Sequence, residues 1–184
     1  MPREKRGKSI GRLTLLSLLV PFLLGFSVVS AFSAPADVAS LLQQAQASAA
    51  QLRRDATQME TFARSNPSWQ SHAHQIDLIK GHINKSGQIL AQLHDARSDA
   101  SHWQQDAIDR ITPLLQEMAS NTTSVINHLN EHQGRTWTPD YQTYVRENAT
   151  LAAELSSVIS DFVAYDNTKD RIEKLEQKLG FGAP

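Results

Sequence analysis

The feature that most constrains this chain is the recurrence of apolar side chains every three or four residues over most of the sequence after residue 36. Because an α-helix makes one turn in about 3.6 residues, this spacing collects the apolar side chains on one helix face. No stretch alternates apolar and polar residues in the way a half-buried β-strand does. Four periodic stretches predict helices over residues 36–64, 67–97, 101–132 and 139–179.

The breaks between these stretches carry helix start and stop signals. Pro67 suits a first helical turn, and Ser101 with Gln104 has the spacing of a capping box. Gly134 is typical of the position just after a helix, and Thr138 precedes Pro139 as an N-cap would. The short loops favour antiparallel neighbours. We therefore predict an all-α, antiparallel up-down-up-down four-helix bundle.

This bundle is expected to occupy residues 37–179, with a frayed tail at 180–184. Ala, Gln and Leu are among its commonest residues, and these residues have high helix propensity. Hydrophobic residues make up 40% of the chain, enough to build a core. The length fits one domain of ordinary size.

The first 36 residues have the composition of an export signal. Residues 1–12 carry five basic and one acidic side chain, a net charge of +4, and residues 13–31 carry no charge. A basic segment, an apolar segment and then small residues are typical of a signal peptide. The apolar run is also close to bilayer-spanning length, so an uncleaved inner-membrane anchor at 13–31 is the alternative. Pro21 and Gly25 favour cleavage because they weaken a spanning helix. Either way, the body is expected to be exported, to the periplasm or outside the cell.

Charge and cysteine content exclude several classes of function. Residues 13–184 carry 13 basic and 18 acidic side chains, a net charge of −5, with no basic stripe to neutralise phosphates. Nucleic-acid binding is therefore not expected. The chain has no cysteine, so it has no thiol nucleophile, iron–sulfur ligands or covalent haem attachment.

Three histidines form the candidate metal site. Antiparallel pairing places the start of the second helix beside the end of the third, which brings His72 towards His128 and His132. With Glu131 nearby, these imidazoles would suit zinc or copper. In the structural alternative, His128 and His132 sit at a helix C-terminus, which favours cations, and His72 is a bonded residue at the end of the core.

Catalytic residues and cofactors are not predicted. The chain has no Gly-rich phosphate loop, no G-x-S-x-G elbow and no recognised Ser/His/Asp arrangement. Haem in a bundle needs His or Met ligands, and the fourth helix has neither. Met59 and Met118 lie on core stripes, where methionine usually fills gaps.

Thr122 and Asn148 fall near one layer of the predicted core. A buried polar pair can fix the register of packed helices or line a small pocket. Pro113, about two turns away, would widen such a pocket. The structural role is the favoured interpretation.

The fourth helix is longer than the others, and its last residues remain amphipathic. Ile172, Leu175 and Leu179 share one face and form a candidate interaction tail. This segment could fold back on the bundle, meet the start of the first helix, or pair with another copy.

These observations predict a non-catalytic, exported protein of the cell envelope that serves as a structural or protein-interaction module. We expect a protein partner or self-association, and membrane contact only through an uncleaved N-terminal segment. The alternative is a bundle that binds a small ligand or a metal through His72, His128 and His132. A membrane-anchored sensor is a third class, but twelve residues before the apolar run are too few for a signalling region.

Overall fold

A computed structural model describes residues 37–132 and 134–181. The predicted export or anchor segment, residues 1–36, lies outside the described residues, as do the last three residues of the predicted frayed tail. Within the described ranges, no helix has the length and apolar character needed to cross a lipid bilayer.

The described part of the chain is a helical bundle without β-strands, which confirms the all-α prediction. Each helix begins and ends within two residues of its predicted range. A short 3₁₀ turn, Arg97–Asp99, lies in the second connection. The helices are α1 Val38–Ser65, α2 Trp69–Asp95, α3 His102–Glu131 and α4 Pro139–Leu179.

Local signals set the helix ends. Asp37 accepts a hydrogen bond from the amide of Ala39 at the start of α1, and Ser68 accepts one from Ser71 at the start of α2. At the start of α3, the Gln104 side chain accepts from the backbone N–H of Ser101 at 2.9 Å. Such caps satisfy amides that have no partner inside the helix.

A single core lies between the four helices. α1 packs against α2 and α4, and α3 packs against the same two helices. Each fully buried apolar side chain contributes about 1.5–3 kcal/mol relative to exposure. The largest buried side chains are Tyr141, Leu41, Leu42, Leu52, Met59, Ile79, Leu93, Ile108, Met118, Leu155, Ile159 and His72.

Residues that disfavour helices are accommodated inside α2 and α3. Pro113 lies within α3, which continues on both sides of it. A Cβ atom built at Gly81 or Gly87 would meet no atom within 4 Å. Close approach of another helix therefore does not explain these two glycines.

The C-terminal part of α4 extends past the core. Val163 is the last buried residue of this helix, and every residue from Asn167 to Leu179 is exposed. Asp166 lies near Asp37, the N-cap of α1, which helps to raise the pKa of Asp166. The exposed segment therefore begins where α1 begins, and it projects by about 20 Å at 1.5 Å per residue.

Candidate functional site

His72 and Tyr141 form a buried polar contact at one end of the bundle. His72 Nδ1 and the Tyr141 hydroxyl are 2.7 Å apart, and both side chains are fully buried. Burial lowers the pKa of His72 and raises the pKa of Tyr141, because it disfavours both charged forms. Among the described residues, His72 Nε2 has no hydrogen-bond partner. This pair is a neutral, packed contact of the core.

His128 organises the loop between α3 and α4. Its Nε2 lies 3.0 Å from the carbonyl oxygen of Arg135 and 3.1 Å from Thr138 Oγ1. Because a carbonyl oxygen only accepts, Nε2 carries the proton that forms this bond. Gly134 has φ +79° in the same turn, a conformation that favours glycine. His128 therefore has a structural role at the end of α3.

The loops at this end are tied together. Thr136, a buried residue of the α3–α4 loop, donates a hydrogen bond of 2.6 Å to the side chain of Asn66 at the end of α1. Asn66 itself has φ +50°, in the left-handed region. The histidine end of the bundle is thus closed by side-chain contacts.

The three histidines predicted as metal ligands do not form a ligand set. The Tyr141 ring contacts both His72 and His128, with centroid distances of 5.5 and 5.2 Å. His128 and His132 are neighbours at 4.9 Å, but His132 is exposed rather than inward-facing as predicted. In residues 37–132 and 134–181, no group of three or more His, Cys, Asp or Glu side chains is arranged to hold a metal ion.

Thr122 and Asn148, the predicted polar layer, are buried and in contact. Asn148 Nδ2 donates to Thr122 Oγ1 at 3.1 Å, while Asn148 Oδ1 has no partner within the described part of the chain. A second buried polar contact, Ser48 with Ser86 at 2.9 Å, was not anticipated from the sequence. Each contact pairs two polar side chains inside the core. Both polar pairs therefore act in packing.

An aromatic groove between α3 and α4 was also missed in the sequence. Trp103 stacks on Phe162 at 6.5 Å and meets Tyr165 edge-on at 5.3 Å. The Arg110 guanidinium lies 5.7 Å from the centre of the Phe162 ring. The groove has a volume of about 230 Å³ and is completed by Val158 and Asp161. Tyr165 is 53% exposed, so the groove opens to solvent on its side.

The predicted interaction tail presents a continuous apolar face to solvent. Ile172 is 51% exposed, Leu175 47% and Leu179 61%. We call these three residues the tail stripe. Their helix is held by local bonds, including an ion pair of 2.9 Å between Lys169 and Glu173. Exposed apolar side chains aligned on one helix face are typical of a protein-binding surface.

Charge around the base of the tail is acidic. The pKa of Asp166 is raised by desolvation, then by the nearby carboxylates of Asp170 and Asp37. Beyond this point the tail carries mixed charge, with Arg171 and Glu176 flanking the tail stripe. The stripe therefore has an apolar centre and polar edges, as protein interfaces do.

Comparison with known proteins gives no family for this chain. No protein-family model matches it, and no curated protein or solved structure is significantly similar to it.

Proposed function

We propose that this protein is a non-catalytic, exported helical bundle of the cell envelope, and that it acts as a structural or protein-interaction module through the tail stripe. The proposal depends on one observation: Ile172, Leu175 and Leu179 are exposed on a helix that extends beyond its neighbours. Isolated helices of this length are marginal in water. A partner that covers the apolar face would stabilise the segment.

The antiparallel up-down-up-down order of the helices is part of this proposal. Two contacts between α1 and α2 support it: Ser48 with Ser86, and Gln75 Nε2 with the Asp55 carbonyl at 3.0 Å. The residue later in α1 meets the residue earlier in α2. For α3 and α4, Asn121 lies 3.3 Å from Glu147 and Thr122 lies 3.1 Å from Asn148, close to the loop that joins the two helices.

Export through residues 1–36, to the periplasm or the extracellular space, is the remaining part of the proposal. It is supported by the basic, apolar and small-residue order of the segment. N-terminal sequencing of the protein recovered from the cell envelope tests it. A new N-terminus near Ala31 or Ala36 is expected, whereas an intact Met1 would favour the inner-membrane anchor at 13–31.

The alternative function, small-ligand or metal binding through His72, His128 and His132, gains no support from the geometry. His72 Nδ1 is 2.7 Å from the Tyr141 hydroxyl, His132 is exposed, and His128 Nε2 already donates to a backbone carbonyl. We therefore propose the interaction module alone.

Deletion of residues 168–184 tests the proposed function. The deletion should change the oligomer size or the set of proteins captured on immobilised bundle. The circular dichroism signal per helical residue and the cooperative unfolding of the bundle should persist, because every buried residue of α4 lies before this segment.

A matched control replaces polar residues of the tail, Asp170 and Gln177, with serine. This control should behave like the wild type, whereas serine at the three tail-stripe positions should behave like the deletion. If the deletion changes neither oligomer size nor captured partners, the proposed function is wrong.

A further inference from the structure

Apolar residues recur every seven residues at the a positions of the second half of α4, whereas Leu175 is the only apolar residue among the three d positions. In heptad notation, the a positions are Val158, Tyr165, Ile172 and Leu179, and the d positions are Asp161, Thr168 and Leu175. Apolar a and d residues are the seam of a coiled coil. The last two heptads have the apolar seam, and the first lies along the aromatic groove, which Val158 and Tyr165 line. The repeat therefore runs from the side of the bundle to the tail.

The tail stripe points away from the core of its own bundle. At about 100° per residue, Ile172, Leu175 and Leu179 lie about 220°, 160° and 200° around the helix from Ile159. Ile159 faces the core and is 2% exposed. Since α4 is unbroken, its own bundle cannot cover this face. A second helix can lie along it, with the two bundles on opposite sides of the pair.

Charges beside the stripe identify the partner helix. Arg171 occupies the g position before Ile172, and Glu176 occupies the e position after Leu175. In a parallel, in-register pair, each g residue meets the e residue five positions later on the other helix. Arg171 of each copy then faces Glu176 of the other. Two-fold symmetry forms this ion pair twice.

The opposite orientation is less favourable. An antiparallel pair would set Arg171 beside Lys178 of the other copy, because g positions then face each other, and this repulsion offsets the attraction between Glu176 and Lys169 at the facing e positions. Lys169 is also already paired with Glu173 of its own helix at 2.9 Å. On their own helix, neither Arg171 nor Glu176 has an oppositely charged residue three or four positions away. Both charges are thus available to a second chain.

We propose that a second copy of this chain covers the tail stripe, with the two α4 tails parallel and in register. This inference rests on the proposed function, in which the tail stripe is a protein-binding surface. The contact area is small, so the dimer forms and dissociates with protein concentration.

Cross-linking through a single cysteine tests the orientation. The natural chain has no cysteine, so Leu179→Cys introduces the sole thiol. In the parallel pair, facing a positions approach the Cβ separation of about 4 Å that a disulfide needs. In an antiparallel pair centred between Ile172 and Leu175, the two copies of residue 179 are about 16 Å apart along the axis.

Leu179→Cys should therefore give a covalent dimer on mild oxidation, seen on a non-reducing gel. The control is Gln177→Cys at the outward f position, which should remain monomeric on the gel. Equal cross-linking of both variants, or none of Leu179→Cys, would overturn the proposal. Cross-linking confined to a mixture of Thr168→Cys and Leu179→Cys chains would also overturn it, because these positions face each other in the antiparallel pair.

Charge exchange tests the partner. Sedimentation equilibrium of the full chain should give a concentration-dependent dimer, and Glu176→Arg should raise its Kd about tenfold by making both pairs repulsive. The double variant Arg171→Glu/Glu176→Arg should return the Kd towards the wild-type value. A wild type that stays monomeric at every concentration overturns the proposal, as does a double variant no tighter than Glu176→Arg.

Failure here is distinguishable from failure of the proposed function. A monomeric wild type that loses a captured partner on deletion of residues 168–184 removes the self-pairing and leaves the interaction module in place. If the deletion changes neither size nor partners, both proposals fall.

Discussion

The two ends of α4 have amphipathic sequences of similar character in opposite surroundings. At its start, Tyr141 is fully buried, bonded to His72 and in ring contact with His128. At its other end, Ile172 and Leu179 leave more than half of their surface exposed. The first end has neighbouring helices and closed loops, whereas the second extends beyond the start of α1. An amphipathic pattern thus specifies which face is apolar, but the length of the neighbouring helices decides whether that face is buried.

The sharpest test of this comparison is one substitution made in both regions. Ile159→Ala should lower the free energy of unfolding by about 2–5 kcal/mol, because it leaves a cavity in a packed core. Ile172→Ala should change it by less than about 0.5 kcal/mol, because the side chain is half exposed. Urea unfolding at low protein concentration, where a weak dimer dissociates, measures both. Equal losses would mean that the tail packs on its own bundle.

Buried polar contacts should behave as packed parts of the core. Thr122→Val removes the hydroxyl that accepts from Asn148 and leaves the buried Asn148 amide group without this partner. The free energy of unfolding should therefore fall by about 1–3 kcal/mol. Thr122→Val with Asn148→Leu removes both partners and should recover much of this loss. Thr123→Val is the control, since Thr123 is exposed and next in the chain.

A double variant less stable than Thr122→Val alone would contradict this interpretation of the polar layer. It would show that the Asn148 amide makes a contribution independent of Thr122. Thermal or urea unfolding of the wild type, Thr122→Val, Asn148→Leu and the double variant gives the coupling energy of the pair.

The third and smallest effect concerns pH. Burial lowers the pKa of His72 from its ordinary value of 6.5, so the unfolded chain binds the proton more readily than the folded one. The stability associated with neutral His72 is therefore fully present above pH 6.5 and is lost as the pH falls towards the lowered pKa. His72→Gln should flatten this part of the stability–pH curve. His74→Gln, at an exposed position of the same helix, should retain it.

Urea titrations at several pH values measure the difference between these two variants. Subtracting one stability–pH curve from the other cancels the contributions of the histidines that both variants retain. One of these is His128, which also contacts Tyr141. A stability difference between the two variants that stays constant as the pH falls below 6.5 would contradict the burial of a neutral His72.

The positions of the helices and of their ends could be predicted from the sequence, because they depend on local signals. Apolar periodicity located each helix, and Ser101 with Gln104, Gly134 and Thr138 marked the breaks. The burial of His72 and its contact with Tyr141 agree with the structural alternative, in which His72 is a bonded residue at the end of the core. The tail stripe was also visible, since its residues share a face in any unbroken helix.

Contacts between helices were less predictable. His132 was expected to lie with His72 and His128, but it is the residue that ends α3, and its side chain is exposed. The contacts of Tyr141 with both His72 and His128 depend on the distance and rotation of three helices, which periodicity does not give. The aromatic groove was missed for the same reason, because Trp103 and Phe162 are far apart in sequence.

The continuity of α4 gives the molecule a mechanical property. A helix of 41 residues is about 62 Å long, and here it is unbroken from Tyr141 to the tail stripe. The rotation of the buried part of α4 about its helix axis therefore determines the direction in which the tail stripe faces. Contacts such as Asn148 with Thr122 hold that angle from more than 30 Å away by the same rise per residue. A partner bound to the tail stripe is consequently held in a fixed orientation relative to the bundle.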